Sequence, residues 1–593
     1  MQAGRTLRRD DSRIIVHFDY DCFYASVVEN ENPALKFVPL AIQQKQIVVT
    51  CNYEARRRGL RKLQLITEAK KVCPEAVIVL GEDLTKFRNA SKELYTFLQQ
   101  SIWSGRAERL GFDEVWLDCT DMIDYNMDLL NQNDLGHSFF CLNKTDPTAG
   151  FQYDASNVFG PTYPPAPGPL AELNDEERRL HLRLRLGSHL ARHIRHQLEA
   201  QMGYTSTVGV ATNKILSKLV GNVHKPKNQT TLMPPLGPTA AATSSVTQFL
   251  DAHDVGKVPG IGFKLAQKIR AHVLGREGQI STGLVYGHTK ESVTVFDIRF
   301  HPGMGPEMLE NILGGPGSPK GIGGKVWELL HGIDHSEVGK VKRIPSQISQ
   351  EDSYMKYLHT FEQVKKQLHL LGDRLIRRMH IDLLEDDETG EDGPSNSRRW
   401  LAHPRTLRLS TRPRPAPGPD GVRARTSHRI SRSLPMPNFV FNLSEASSVL
   451  AERLVEEALV PMFRKLHHET SGWNLSLINV AATNMLETAA ESKDSEGRDI
   501  GRMFRTQDAV LRNFRVISDG LHDGQEEHGL VADPSDRGSP SPPISQSDQK
   551  AVMAGGWESD DGDGQEVERC PLCQNSIPSF ALAAHLQYHE MNG

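Results

Sequence analysis

Three carboxylates stand where a pair of metal ions could be shared. Asp19 follows the apolar run Arg13–Phe18 (R-I-I-V-H-F), and the adjacent Asp113 and Glu114 precede a second apolar run, Val115–Leu117. Carboxylates at the ends of neighbouring strands of one sheet can converge on a point. Two divalent cations held there would clamp the attacking and leaving oxygens of a phosphoryl transfer. That chemistry asks the protein chiefly for position and charge. Hard oxygen donors favour Mg2+, which keeps waters and accepts substrate phosphates as further ligands. Taken singly, each carboxylate would read as a helix cap or a solvated strand end, and Asp21 is read as a helix-start residue.

A second constellation closes the chain. Cys570-P-L-Cys573, eleven residues, then His585-L-Q-Y-His589 has the ligand spacing of one tetrahedral, structural Zn2+ site. The stretch Ala581–Glu590 reads as a helix presenting both histidines one turn apart, and a module this short would need the metal to fold. That helix carries no arginine or lysine and follows an acidic linker, so DNA reading is an unfavourable role for it.

Two features suit a polyanion. The stretch V-P-G-I-G-F-K-L-A-Q-K-I (258–269) has helix–hairpin–helix form; Gly260 and Gly262 would let the backbone approach phosphates, with Lys264 beside them. The segment 398–433 holds ten arginines, no lysine and one acidic residue, Asp420. Arg423, Arg425 and Arg429 would share one strand face, and a phosphate-tracking surface is the expectation.

The elements that must position these groups read as alternating strands and helices. Strands are expected at Val38–Gln43, Gln46–Val49, Val77–Leu80, Val115–Leu117 and Thr207–Val210. Helices are expected at Asp21–Glu29, from Tyr53, and over Leu84–Gln99, Leu170–Met202 and Asn213–Leu219. The Asn-, Gly- and Pro-rich stretch 118–169 and the Gly-rich stretch 275–320 read as irregular insertions.

At 593 residues the chain exceeds one core, and about three to five domains are expected. There is no run of about 18 apolar residues, so no membrane partner is expected. The polar, basic stretch Met1–Arg13 has no apolar signal core, and seven cysteines, five scattered and one tight pair, fit a reducing compartment. The net charge of −5 hides an asymmetry: residues 519–569 carry thirteen acids and three bases, net −10, leaving +5 elsewhere. A basic body is the electrostatic footprint of a nucleic-acid partner.

Seven motifs, in order, resemble the Y-family translesion DNA polymerases. They are F-D-Y-D-C-F-Y-A-S (18–26), Y-E-A-R (53–56), G-F-D-E-V-W-L-D (111–118), T-N-K-I-L-S-K-L (212–219), H-K-P-K-N (224–228), V-P-G-I-G (258–262) and W-E-L-L-H-G-I-D (327–334). Within the family, Q-Q-K-Q-I-V-V-T-C-N-Y-E-A-R (43–56) and the G-F-D-E form resemble the iota branch.

The resemblance implies template-directed nucleotidyl transfer on primer–template DNA from deoxynucleoside triphosphates. Asp19, Asp113, Glu114 and the backbone carbonyl of Tyr20 would bind two Mg2+ ions. Tyr24 would be a steric gate under the sugar, while Tyr53, Arg56 and Lys225 would hold the triphosphate. Arg offers phosphate a planar fork and Lys a point charge. Gln44 and Ile47 would roof and narrow the template-base pocket. Lys214 and Lys218 rank below Lys225 as phosphate or DNA contacts.

The terminal module resembles the ubiquitin-binding zinc finger of the eta branch. It makes ubiquitin or a ubiquitinated sliding clamp a candidate partner, although Gln587 stands where that finger carries an acid. The segment Gln507–Phe514 is a poor match to clamp-binding motifs. A nuclear location is implied by resemblance alone.

The expected architecture is a multidomain α/β right hand: palm at 12–37 and 97–230 with an insertion at about 119–169, and fingers at 38–96. A thumb with the helix–hairpin–helix follows at 231–342 (insertion about 275–320), then an α/β little finger at 343–486. A disordered linker, 487–567, leads to the zinc finger at 568–593. A catalytically idle DNA-binding scaffold, a nucleotidyl cyclase and an eta-like enzyme are the rival readings. The intact carboxylates, the thumb with its arginine-rich partner, and the G-F-D-E motif argue against them in turn.

Overall fold

The strand β1 (Ile15–Tyr20) is apolar almost throughout because it runs through the middle of a sheet. The computed structural model describes residues 7–165, 173–236, 244–279, 290–386, 398–413, 429–469, 473–488, 567–569 and 576–578. The chain divides into two compact units, the first running to Val341 and the second beginning at Lys342.

In the first unit β1 leads into helix α1 (Phe23–Glu31). Strands β2 (Leu40–Gln44), β3 (Ile47–Cys51) and β4 (Val77–Leu80) make a small sheet in the order β3-β2-β4. Helices α2 (Tyr53–Arg57) and α3 (Ile66–Val72) close it over a core of Ala41, Val48, Cys51, Ala55, Leu60, Ala69 and Cys73. After α4 (Thr85–Gln100), the main sheet gains β5 (Ala107–Leu110) and β6 (Glu114–Asp118).

The stretch expected to be irregular after Asp118 is structured. It holds α5 (Thr120–Asp128) and the antiparallel pair β7 (Ser138–Cys141) and β8 (Gly150–Tyr153), followed by β9 (Thr162–Tyr163). Phe140 of β7 is fully buried, and its ring stacks on Phe151 at 5.1 Å, which gives this segment a share of the core. The long helix α6 (Asp175–Gln197) starts later than expected, at a capping box between Asn174 and Glu177, and a π-helical turn, Leu198–Met202, carries it to the expected end. Then come β10 (Ser206–Ala211), α7 (Lys214–Gly221) and β11 (Gln229–Leu232). The sheet order is β5-β6-β1-β10-β11-β9, with β1 antiparallel to both neighbours.

Alternation on β1 sorts its two faces. Val16, Phe18 and Tyr20 enter the main core, while Ile15 packs with Trp116 and Val338 on the other side. The helix α7 lies on this second side, and Gly209 allows it. A Cβ at Gly209 would stand 1.9 Å from the Ser217 carbonyl oxygen and 2.6 Å from the Gly221 nitrogen.

Helices α8 (Ser245–Asp251), α9 (Phe263–Leu274), α10 (Val295–Arg299), α11 (Pro306–Leu313) and α12 (Ile322–Leu330) continue the same core. Thus 275–320 is not wholly an insertion: Val295, Ile298, Leu309 and Leu313 are fully buried. After α12 the chain is strapped to the back of the sheet. Arg13 donates to the carbonyls of Asp334 and Ser336, and Arg106 donates to that of Val338. Gly339 donates to Glu108 at 2.7 Å and Val341 to the Gly105 carbonyl at 2.9 Å, with Val338 fully buried between.

The second unit is a four-stranded antiparallel sheet with helices on one face. Its elements are β12 (Gln347–Leu358), α13 (Phe361–Leu383), β13 (Leu384–Asp386), β14 (Arg398–Trp400), β15 (Ala402–Pro413), β16 (Ile430–Pro435), α14 (Ser447–Leu454), α15 (Val460–Leu466) and β17 (Leu475–Glu487). The order is β12-β17-β15-β16, and Leu407, Leu409, Ile478 and Val480 pack against Leu368, Leu375, Leu450 and Leu454. Near the end of the chain β18 (Val567–Arg569) pairs antiparallel with β19 (Ser576–Pro578). None of the described helices is long and apolar enough to cross a membrane.

Candidate active site

The carboxylates expected to meet do come together at one edge of the main sheet. Asp19 lies directly opposite Glu114 in the β1–β6 register, and the Tyr20 backbone N–H donates to the Asp113 carbonyl at 2.8 Å. The Asp19 and Glu114 side chains are 17 % and 16 % exposed, mostly sheltered yet open to an entering ion. Burial, and then the charges of Asp19 and Glu114, push the Asp113 carboxyl up to about 7. Burial also raises Glu114, and Lys218 pulls it back down.

Two lysines supply positive charge to this cluster. Lys225 reaches Asp19 at 2.5 Å and Lys218 reaches Glu114 at 2.6 Å. Among the described residues, no group of three or more His, Cys, Asp or Glu side chains is drawn up as a closed metal cage. The three carboxylates and the backbone carbonyl beside them offer an all-oxygen donor set, which suits Mg2+.

Lys218, expected below Lys225 as a phosphate or DNA contact, has a partner in Glu114 that no local pattern in the sequence announced. Its helix sits over the Trp116 ring, which lies 5.3 Å from the Lys214 ammonium and 5.8 Å from that of Lys218. Lys214 itself is turned away to Glu108, at 2.8 Å, and serves the sheet and its strap. His17, fully buried beneath Trp116, is held neutral by burial and then by the nearby Lys218 and Lys225 charges.

Asp21 does not start the helix. The residue before α1 is Cys22, in a left-handed conformation and without a side-chain cap. Asp21 instead accepts from the Thr207 hydroxyl at 2.8 Å and from the Lys227 backbone N–H at 3.0 Å.

The remaining candidates fall in the same unit. The Tyr24 ring stacks on Phe87 at 4.3 Å and is flanked by Phe112 at 6.1 Å. Asn52 caps α2 by accepting from the Ala55 N–H, and also accepts from the Leu40 N–H, fixing α2 to β2. This presents Tyr53 and Arg56 together, with the guanidinium 4.5 Å over the ring. Gln44 and Ile47 face each other across the β2–β3 turn, and the Gln44 amide donates to the Gly81 carbonyl at 2.8 Å. At the helix–hairpin–helix, Gly260 has φ +89°, Gly262 precedes α9 in open space, and Lys264 is exposed in its first turn.

The arginine-rich surface needs correction. Arg429 pairs with Glu351 at 2.8 Å and Arg399 with Glu385 at 3.1 Å, so acids from elsewhere in the second unit offset part of this charge. Arg423 and Arg425 lie outside the described residues, as do Cys570, Cys573, His585 and His589 and residues 489–566 of the stretch 487–567 read as a disordered linker; Glu487 and Val567 at its ends are in strands.

Two descriptions of one family match the chain. The "impB/mucB/samB family" spans 18–222, and the "impB/mucB/samB family C-terminal domain" spans 345–497, together more than half of the residues. The chain belongs to the impB/mucB/samB family. The first match takes in Asp19, Asp113, Glu114 and Lys218 and stops just short of Lys225; the second covers the sheet and helices of the second unit.

This impB/mucB/samB chain is 30 % identical to DNA polymerase iota of Homo sapiens over 514 residues, which is 85 % of the chain and 58 % of the relative. The Mus musculus DNA polymerase iota is 30 % identical over 88 % of the chain and 61 % of the relative. That of Drosophila melanogaster is 36 % identical over 42 % of the chain and 30 % of the relative. The chain therefore spans about three fifths of the length of the two mammalian relatives.

Proposed function

We propose that this chain is a Y-family DNA-directed DNA polymerase of the iota type, performing low-fidelity translesion synthesis by two-metal nucleotidyl transfer. The observation that carries this is the carboxylate edge: Asp19 opposite Glu114, Asp113 bonded to the next residue of β1, and lysines bound to both outer carboxylates. A lone DNA-binding scaffold has no use for a carboxyl pushed up to about 7 by burial and then by two neighbouring like charges.

Asp19, Asp113, Glu114 and the Tyr20 carbonyl would hold two Mg2+ ions. When bound, these supply the Lewis acidity that makes a primer 3′-hydroxyl a nucleophile and a pyrophosphate a leaving group. Lys225, Tyr53 and Arg56 receive the triphosphate, Lys225 exchanging Asp19 for phosphate oxygens. Tyr24, braced on Phe87, lies under the sugar and excludes a 2′-hydroxyl. Gln44, anchored to Gly81, and Ile47 cover the template base and restrict its geometry.

In this reading the main sheet is the palm, the β2–β4 sheet the fingers, helices α8–α12 the thumb and the second unit the little finger. The exposed amides before α9 and the arginines of the second unit track DNA phosphates independently of sequence. The β18–β19 pair brackets the Cys570–Cys573 segment, which supports a terminal zinc module. Ubiquitin is proposed as its partner, and the nucleus as the enzyme's place of work.

Primer extension by the purified chain, with and without Asp113→Ala, tests the reading. Extension is expected to need a divalent ion and to fall at least about a thousandfold in the variant, the scale of losing a metal-positioning group. Extension that survives the substitution would overturn the assignment. The same assay opposite each template base tests the Gln44–Ile47 roof, which fails if fidelity is equal opposite A and T.

A further inference from the structure

Asp21 is buried, with 4 % of its surface exposed, and it takes no part in the carboxylate edge described above. A buried carboxylate needs hydrogen-bond donors, and it finds two. Thr207 of β10 donates its hydroxyl to Oδ1 at 2.8 Å, and the Lys227 backbone N–H donates to Oδ2 at 3.0 Å. A carboxylate offers acceptors only, so two donors arriving from different segments fix both oxygens at once. Arg195, largely buried nearby, feels the Asp21 charge and supplies a compensating one.

The second donor matters because of where it lies. Lys227 has φ +48°, a left-handed conformation that a lysine adopts only when its surroundings hold it there. It is two residues from Lys225. The other ends of this loop are also tied: the His224 ring sits 3.0 Å from the Thr230 hydroxyl, and the Asn228 carbonyl accepts from the Val208 N–H at 3.0 Å. Asp21 closes the remaining side and joins the loop to the end of β1, two residues beyond Asp19.

We propose that Asp21 is a positioning residue for nucleotide binding: through the Lys227 N–H it sets the loop that aims Lys225 at the triphosphate. The proposal rests on the reading of Lys225 given above. Thr207 is part of the same device, since its hydroxyl fixes which way the carboxylate faces. A shorter side chain without an acceptor frees the loop, and Lys225 then spends most of its time away from the aimed position.

The test is steady-state primer extension by the full-length chain in four forms: parent, Asp21→Ala, Lys225→Ala and the double variant. Asp21→Ala should raise the KM for the incoming nucleotide about tenfold, the scale of a hydrogen bond to a charged group, with a much smaller change in kcat. In the Lys225→Ala background the same substitution should add less than about twofold, because coupled residues are not additive. If Asp21→Ala does not fold, Asp21→Asn takes its place. It keeps one acceptor for the Lys227 N–H and should raise KM by a smaller factor, with Thr207→Val giving the same split.

Additive effects in the double variant would overturn the proposal, as would a fall confined to kcat. If Lys225→Ala leaves KM unchanged, the Lys225 reading fails and takes this proposal with it. If Lys225→Ala raises KM and Asp21→Ala does not, this proposal alone fails.

Discussion

Replacing Lys218 with methionine keeps the length of the side chain and removes its charge from Glu114. The pair is 2.6 Å apart, with side chains 22 % and 16 % exposed. Breaking a buried pair by deleting one partner costs about 3–5 kcal/mol, and the residual exposure of both groups argues for the lower end, about 3 kcal/mol. The left-over Glu114 charge then joins Asp19 and Asp113, with Lys225 the ammonium that remains paired to this cluster among the described residues. A divalent cation relieves that imbalance, so it binds the variant more tightly than the parent. Urea unfolding of the first unit, followed by tryptophan fluorescence with and without Mg2+, reads both effects. The expected result is a large loss of stability without metal and a larger rescue by Mg2+ in the variant, following the linkage of binding to stability. A variant as stable as the parent in the absence of metal, or an equal rescue of both, would refute the electrostatic account of this edge.

Further expectations concern the same sheet. Asp113 has a folded pKa raised to about 7, so its contribution to metal-free stability is present at low pH and is lost as pH rises through about 7. Mg2+ uptake at pH 6.5 should therefore release a proton in calorimetry, and Asp113→Asn should abolish that release. Gly209→Ala sets a methyl 1.9 Å from the Ser217 carbonyl, so α7 must lift from the sheet. A stability loss of about 3 kcal/mol or more, in denaturant titration, is expected because backbone offers no soft neighbour to yield.

The ends of β1 and β6 were legible because apolar runs long enough to cross a sheet end abruptly at Asp19 and begin abruptly after Glu114. The Lys218–Glu114 pair was not legible. It depends on α7 lying across β10, and that depends on two glycines, Gly209 and Gly221, whose close approach no local pattern announces. The insertion after Asp118 misled for a related reason: its turn residues are frequent, but the short runs S-F-F-C and G-F-Q-Y pair with each other and bury Phe140. The arginine segment looked unbalanced because its acids, Glu351 and Glu385, come from outside the window in which it was read. Asp21 was misassigned because a carboxylate near a helix start is usually a cap; here its two partners lie 186 and 206 residues away in sequence.

The strap from Gly332 to Val341 changes how much slack the chain has between its two units. Counted from the end of α12, the leash would be some sixteen residues; counted from the last anchored amide, Val341, only Lys342–Ser346 remain before β12 begins. Loosening the strap would surrender the bonds from Arg13, Arg106 and Gly339 and uncover Val338 and Trp116 together, so it does not fray a residue at a time. Truncating Val338 should therefore release the segment 334–341 from the back of the sheet in one step, not residue by residue.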